Sequence, residues 1–242
     1  MSNNREKNFY QLNLDNYSLD IDNIRNFNNL QKIPRYEICQ DSLEKRNYFK
    51  KDLIVELGSC RREECLITLA EKFSFKKGLG LDIFYKDIHN YKNINFIPHD
   101  LNEQWPLGKD SVDVLIAMMI IEHLFDPYFC FSEIKRVLKK DGIAFINLPL
   151  ITNFRNRLRL LIGKIPTTSV PYHRWAKEKH WDGFHLHYFT IKSIFDLAEL
   201  NDLKITRIDG IGKMKWLKNL FPSILCGEIS FEIQHKNVYR ED

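Results

Sequence analysis

The sequence predicts an α/β fold: one mostly parallel, seven-stranded sheet with helices on both of its faces. Short apolar runs alternate with segments of helical spacing, which is the pattern of strands joined by crossover helices. The runs are apolar at nearly every position, as strands buried on both faces require. A chain of 242 residues with 44% hydrophobic content suits one large domain, which buries roughly seventy per cent of its unfolded surface without disulfides or a structural metal.

Residues 1–50 are polar, Asn-rich and weakly periodic. Tyr17, Leu19, Ile21, Ile24, Phe27 and Leu30 fit the apolar side of one or two short helices, so this part reads as a partly disordered helical cover. From Leu53 the pattern changes. Leu53 to Leu57 is a buried strand closed by Gly58, and residues 65–73 have helical spacing, with Leu66, Leu69, Ala70 and Phe73 on one side. Further strands fit residues 78–83, 94–98 and 112–118. Asp126-Pro127 is a helix start, a capping residue followed by proline in the first turn. That helix runs through Phe131, Ile134, Val137 and Leu138 and stops at Lys139-Lys140-Asp141-Gly142, with Gly142 as terminator. Residues 143–148 make a fifth strand. Thr190 caps a helix over 191–200, and strands near 203–208 and 227–234 complete seven. Residues 151–189 have no clean period and exceed a simple loop, as functional lids do.

The 36 Lys and Arg against 32 Asp and Glu give a net charge of +4, which argues against nucleic acid as the main partner. Cys39, Cys60, Cys65, Cys130 and Cys226 are odd in number and contain no Cys-x-x-Cys pair, as in a reduced, cytoplasmic protein. The N-terminus has no apolar signal-peptide core, and the longest apolar run, residues 114–121, is too short to span a bilayer.

Chemistry concentrates at the ends of the first strands. Glu56-Leu57-Gly58 closes strand one, Asp82 closes strand two and Asp100 follows strand three. Ligands of open α/β sheets bind beyond the carboxyl ends of the strands, and an acid about twenty residues after the first turn takes ribose hydroxyls. A nicotinamide-type G-x-G-x-x-G turn is not supplied by Gly58-Ser59-Cys60-Arg61-Arg62-Glu63.

Here the sequence resembles the class I S-adenosylmethionine-dependent methyltransferases, in their small-molecule group. Residues 54–60 (Ile-Val-Glu-Leu-Gly-Ser-Cys) match the first motif of that family. Gly80-Leu81-Asp82-Ile83 resembles its ribose-binding strand end, and His99-Asp100-Leu101 its adenine side. Residues 112–117 followed by Ile121-Glu122-His123-Leu124 resemble its fourth strand and Glu-His-Leu turn. Leu138 to Gly142 resembles the turn before strand five, and His187-Tyr188-Phe189-Thr190 the late helix entry. The likeness covers roughly residues 50–235 and implies a Rossmann-like methyltransferase domain over 51–242, with S-adenosylmethionine as cofactor. It implies Glu56, Gly58, Ser59, Asp82, Ile83, Asp100, Leu101 and Met118 as cofactor contacts, and His123 near the transferred methyl. One departure stands out: the first motif of the family carries three alternating glycines, and Cys60 and Arg62 hold the later two positions.

The second concentration spans residues 171–189, with four of the eight histidines and six aromatics. Aromatics interspersed with donors suit a lid over a polar ring substrate, where such proteins build the acceptor pocket; a packed aromatic insertion is the bland alternative. Tyr172, Arg174, His180, Trp181 and Tyr188, with Arg155 upstream, are the expected substrate contacts, and His185 and His187 join His123 as catalytic candidates. On an extended segment His185 and His187 share a face. With His180 they lack a carboxylate or Cys at partner spacing, so no metal centre is expected. Residues 154–164 mix basic and apolar side chains, which fits a phosphate-bearing acceptor, an anionic membrane surface met peripherally, or a solvated basic helix face. The implied reaction is O-methylation of a small polar acceptor, sugar- or phosphate-bearing and including nucleotide-linked ones, in bacterial surface-glycan metabolism. A non-catalytic relative, an N-methyltransferase and an RNA methyltransferase are the alternatives.

Overall fold

The computed structural model describes residues 34–60, 63–168, 185–212 and 214–236. Its strands are β1 (Leu53–Leu57), β2 (Lys77–Asp82), β3 (His89–Tyr91), β4 (Ile94–Pro98), β5 (Val112–Met118), β6 (Leu138–Pro149), β7 (Leu203–Gly210) and β8 (Glu228–His235). They form one sheet in the order β3-β4-β2-β1-β5-β6-β8-β7. The five strands β4, β2, β1, β5 and β6 are mutually parallel. Strand β8 runs antiparallel to both β6 and β7, and β3 antiparallel to β4.

The sheet therefore has eight strands where the sequence suggests seven. The extra one, β3, is a three-residue exposed edge reading His-Asn-Tyr. It carries no apolar run to reveal it; a tight turn through Lys92, at φ 53°, pairs it with β4. A second difference lies between α3 and β6. The helix over Pro127–Val137 (α3) ends one residue early, and Leu138 already opens β6. Gly142 is thus a strand residue. A Cβ there would lie 2.9 Å from the Leu138 side chain and from the Val112 carbonyl oxygen, so glycine is needed for close approach of β5 and β6, not for ending a helix.

The remaining helices are α1 (Pro34–Lys45), α2 (Glu63–Lys72), α4 (Phe154–Leu161), α5 (Ile191–Leu200), α6 (Lys215–Leu220) and α7 (Pro222–Leu225). Alternation along the strands divides the core between the two faces of the sheet. Ile54, Val114 and Ile116 pack with Tyr36, Cys39 and Leu43 of α1 and Leu66 and Leu69 of α2. Val55, Leu57, Leu115 and Ala117 pack on the other face, with Phe131 and Ile134 of α3 and Ile194 and Ala198 of α5. Each such burial contributes about 1.5–3 kcal/mol. Helix α1 falls within the cover expected over residues 1–50, whereas Tyr17 to Leu30 lie outside the described residues.

Local signals fix the ends. The Asp126 side chain accepts from the Phe129 N–H at 3.1 Å, with Pro127 in the first turn. Thr190 accepts from the Ser193 N–H at 3.0 Å while Ser193 Oγ accepts from the Thr190 N–H at 2.9 Å, a reciprocal cap. At the amino edge of the sheet the buried Asp113 carboxylate accepts from the Asp52 and Leu53 N–H groups, at 3.0 and 2.9 Å, and from Lys139. All five cysteines are free thiols. Burial pushes the Cys39 and Cys130 thiols well up, so they behave as small core residues.

Candidate active site

After β1 the chain adds β2 and β4 on one side, then crosses to place β5 on the other. That reversal opens a crevice beyond the carboxyl ends of β1 and β5, the place where open α/β sheets bind ligands. Gly58, Asp82 and Asp100 stand at or just past the carboxyl ends of β1, β2 and β4, on that side of the sheet.

Gly58 leaves β1 at φ +69°, and a Cβ on it would sit 2.8 Å from Ile120 Cδ1 of the loop after β5. Glycine is required both by the left-handed backbone and by this contact. The Gly58 N–H donates to the Leu81 carbonyl at 2.8 Å, lashing the turn to the end of β2. Asp82 completes the tie: one carboxylate oxygen accepts from the Cys60 N–H and the other from the Phe84 N–H, both at 2.9 Å. Cys60, in place of a second glycine, has no left-handed backbone. Its N–H is used by Asp82, so the loop keeps its form without glycine there. Arg62 lies outside the described residues. Ser59 is buried and bonds Tyr85 Oη at 2.9 Å; burial holds the Tyr85 phenol well above its usual range, so it stays protonated.

Glu56 points to the α1 face, where its buried carboxylate accepts from the Tyr36 hydroxyl. Asp100 accepts from the N–H and the side-chain amide of Asn102, at 2.9 and 2.8 Å, and Asn102 Oδ1 accepts from the Phe125 N–H at 2.7 Å. This chain links the loop after β4 to the turn after β5. Leu101 is buried in the core, Ile83 is half-buried, and Met118 is buried at the end of β5.

Past β5, Met119 takes a left-handed backbone at φ 53° and a single 3₁₀ turn, Ile121–His123, follows. The Glu122 carboxylate is fully buried, and its carbonyl accepts from the N–H groups of Leu186 (2.8 Å) and His187 (3.3 Å). This pairing carries His185 to His123: their rings meet edge to face with centroids 4.9 Å apart. Glu122, His123 and His185 offer one carboxylate oxygen and two ring nitrogens all within 4.8 Å of one another. Such a set can take up a proton or hold a divalent cation. The expectation of no metal-ligand set rested on spacing along the chain; the carboxylate comes from a turn more than sixty residues upstream. Thr168 Oγ1 bonds His185 Nδ1 at 2.6 Å and sets the plane of that ring.

The other expected residues divide. His187 Nε2 bonds the Phe125 carbonyl at 3.1 Å, pinning the segment to the same turn without joining the cluster. Tyr188 is exposed. Arg155, expected at the acceptor, is an exposed residue of α4, a helix that turns Asn156 inward. Tyr172, Arg174, His180 and Trp181 lie outside the described residues. Sequence reasoning missed Tyr36, Asn102 and Thr168 as members of the site, and named Glu122 only within the Glu-His-Leu turn. Only Asn102, two residues after Asp100, carried a local signal, that of an Asx turn. A shallow groove of about 540 Å³ between Glu37, Ile38 and Asp41 of α1 and the Gly210–Gly212 loop is separate from this crevice.

Residues 56–146 match the family described as Methyltransferase domain. A curated relative, the ubiquinone biosynthesis O-methyltransferase of Pelagibacter ubique (strain HTCC1062), is 26% identical over 106 residues, 43% of this chain and 40% of that protein. The chain therefore matches well under two thirds of that relative's length. Among solved structures, the S-adenosylmethionine dependent methyltransferase from Mesorhizobium loti superposes with a TM-score of 0.62 at 13% identity, over 86% of this chain and 100% of that one. A chain of the complex between the Haloferax volcanii Trm112 methyltransferase activator and a methyltransferase superposes with a TM-score of 0.56 at 15% identity, over 83% and 95%. At these identities the likeness shows the fold, which is the α/β, Rossmann-like methyltransferase fold expected from the sequence.

Proposed function

We propose that this chain, a methyltransferase by its domain and fold with S-adenosylmethionine as its methyl donor, methylates an oxygen of a small polar acceptor. The observation that carries this reading is the placement of Gly58, Asp82, Asp100 and the Glu122–His123–His185 cluster past the carboxyl ends of the parallel strands of one mixed sheet, around its switch point. The residues fit the cofactor: Asp82 brings a carboxylate to the end of β2 for the ribose hydroxyls, Asp100, Leu101 and Ile83 suit the adenosine side, and Glu56 supplies negative charge for an ammonium. Ser59 and Met118 complete the walls. When bound, the cofactor supplies an electrophilic methyl on a sulfonium.

The protein's own part is alignment and proton handling. Displacement at a methyl group is in line, so holding the acceptor oxygen in place contributes most of the acceleration. A hydroxyl must lose its proton as the C–O bond forms, and His123, supported by His185 and the buried Glu122, receives it. His187 and Thr168 act on this cluster as positioning residues. The curated relative is an O-methyltransferase by name. A sugar- or phosphate-bearing acceptor from surface-glycan assembly matches the polarity of two imidazoles and a carboxylate.

Titration calorimetry with S-adenosylmethionine and S-adenosylhomocysteine tests the reading. Saturable binding of both is expected; absence of binding of either at millimolar concentration overturns it.

A further inference from the structure

Helix α4 is built inside out. Its buried residue is Asn156, 2% exposed, whose side chain donates to the Thr167 carbonyl at 3.0 Å and accepts from the Thr167 N–H at 3.2 Å. Its apolar residues face solvent: Phe154, Leu158 and Leu161, at i, i+4 and i+7, followed by Ile162. Leu161 is 82% exposed. A helix of a globular protein normally buries that stripe.

The α6–α7 segment has the same character. Trp216 is 72% exposed, and Leu220, Phe221 and Ile224 are also exposed. The two regions adjoin, since Ser223 of α7 bonds Arg157 of α4 and Thr152 before it, each at 3.4 Å. The apolar face is thus one patch and not scattered single residues, and patches of this kind mark interaction surfaces.

Charge names the occupant. Residues 151–168 and 214–226 carry six cations and no Asp or Glu, in a chain with 32 acids; Lys215 pairs with Asp209 at 3.4 Å and Lys218 donates to the Ile211 carbonyl, so the charge is supplied by Arg155, Arg157, Arg159 and Lys164 of the α4 region. Arg155 and Lys164 are exposed beside the apolar stripe. Arg157 and Arg159 donate to the Thr152 and Ile165 carbonyls, at 2.6 and 2.8 Å, and keep their charge at the patch. A self-complementary dimer would set this cationic surface against itself. An exposed Trp and Phe with Leu, flanked by Arg and Lys, is what an anionic bilayer interface takes.

We propose that α4 and the α6–α7 segment form a docking surface for an anionic lipid membrane, and that the acceptor is met there. Docking stands without the methyl-transfer reading; the acceptor's place rests on it. The link between patch and site is short: Asn156 holds Thr167, and Thr168 holds His185 against His123. The acceptor class this indicates is a polar headgroup at the lipid–water boundary.

The test is co-sedimentation of the full chain with vesicles of equal parts phosphatidylglycerol and phosphatidylcholine, against phosphatidylcholine alone. Binding to the anionic vesicles is expected, at least about tenfold tighter than to the zwitterionic ones and weakened by salt. The double variant Leu161→Ser with Trp216→Ser, and separately Arg155→Glu with Lys164→Glu, should each lower it about tenfold or more. Both should keep the wild-type affinity for S-adenosylmethionine, which shows that they fold. Equal binding to both vesicle types, or full binding by both variants, overturns the proposal. A dimer that these substitutions dissolve, with no vesicle binding, assigns the patch to a second copy and overturns it too. Vesicle binding without S-adenosylmethionine binding leaves docking intact and removes the methyl-transfer reading.

Discussion

Asp82 spends its carboxylate on two backbone N–H groups from different loops, those of Cys60 and Phe84. In Asp82→Ala both N–H groups lose their acceptor and, on the proposed reading, the ribose would lose its partner. Calorimetry should show S-adenosylmethionine affinity falling at least about tenfold, the scale of one charge-assisted hydrogen bond. Gly58→Ala acts differently. It forces a side chain into left-handed backbone and onto Ile120, so we expect about 1–3 kcal/mol of lost stability in thermal or urea unfolding. His123→Ala should leave cofactor affinity near wild type and lower kcat by about 10²–10⁴-fold, the usual contribution of a placed proton acceptor; unchanged kcat would reduce His123 to a neighbour of the site. Gly58 and Asp82 were legible because backbone geometry and strand ends constrain them locally. Glu122 and His185 were each visible, but not as partners, because only the pairing of the Glu122 carbonyl with Leu186 and His187 brings them together.

Helix α5 owes its start to the reciprocal bonds of Thr190 and Ser193. Thr190→Ala should cost about 1 kcal/mol, measurable as a lowered denaturation midpoint with an unchanged slope. Caps of this kind announced α3 and α5 in the sequence, since Asp-Pro and Thr three residues before a polar partner act over one turn. The same locality explains the misreadings. Lys139 to Gly142 looks like a helix terminator by composition. In the fold the β5 backbone lies against Gly142, so it is a strand glycine and β6 begins at Leu138. Helix α1 has weak periodicity because Tyr36, Cys39 and Leu43 bury sparsely spaced side chains among polar ones, and only the sheet beneath shows which side is inward. Strand β3 exists through its pairing with β4 and has no apolar pattern of its own.

For the molecule as a whole, ion pairs at the amino edge of the sheet contribute to the acid response. Bonds from Lys139 and Lys76 hold the exposed Asp52 carboxyl down to about 2, from an ordinary 3.8. For a depressed carboxyl the contribution is present above the ordinary value and is lost as pH falls through the folded one. Stability should therefore drop between about pH 4 and pH 2, and Asp52→Asn should flatten part of that drop. High salt should shrink the difference between the two proteins, because the pair is exposed. No helix among the described residues is long and apolar enough to cross a membrane. The strand order that places β5 beside β1 is what turns separate acids and histidines into one crevice. That crevice should bind a ligand that the unfolded chain does not, and S-adenosylmethionine at about a hundred times its Kd should add about 2.7 kcal/mol to stability. For a chain of this size, that is a rise in Tm of about 5–10 °C. The most direct measurement of the central claim is this thermal shift in wild type and Asp82→Ala side by side, at one S-adenosylmethionine concentration. The strand-end account predicts a clear rise in the wild type and a much smaller one in the variant, and equal shifts in both, or none in either, would contradict it.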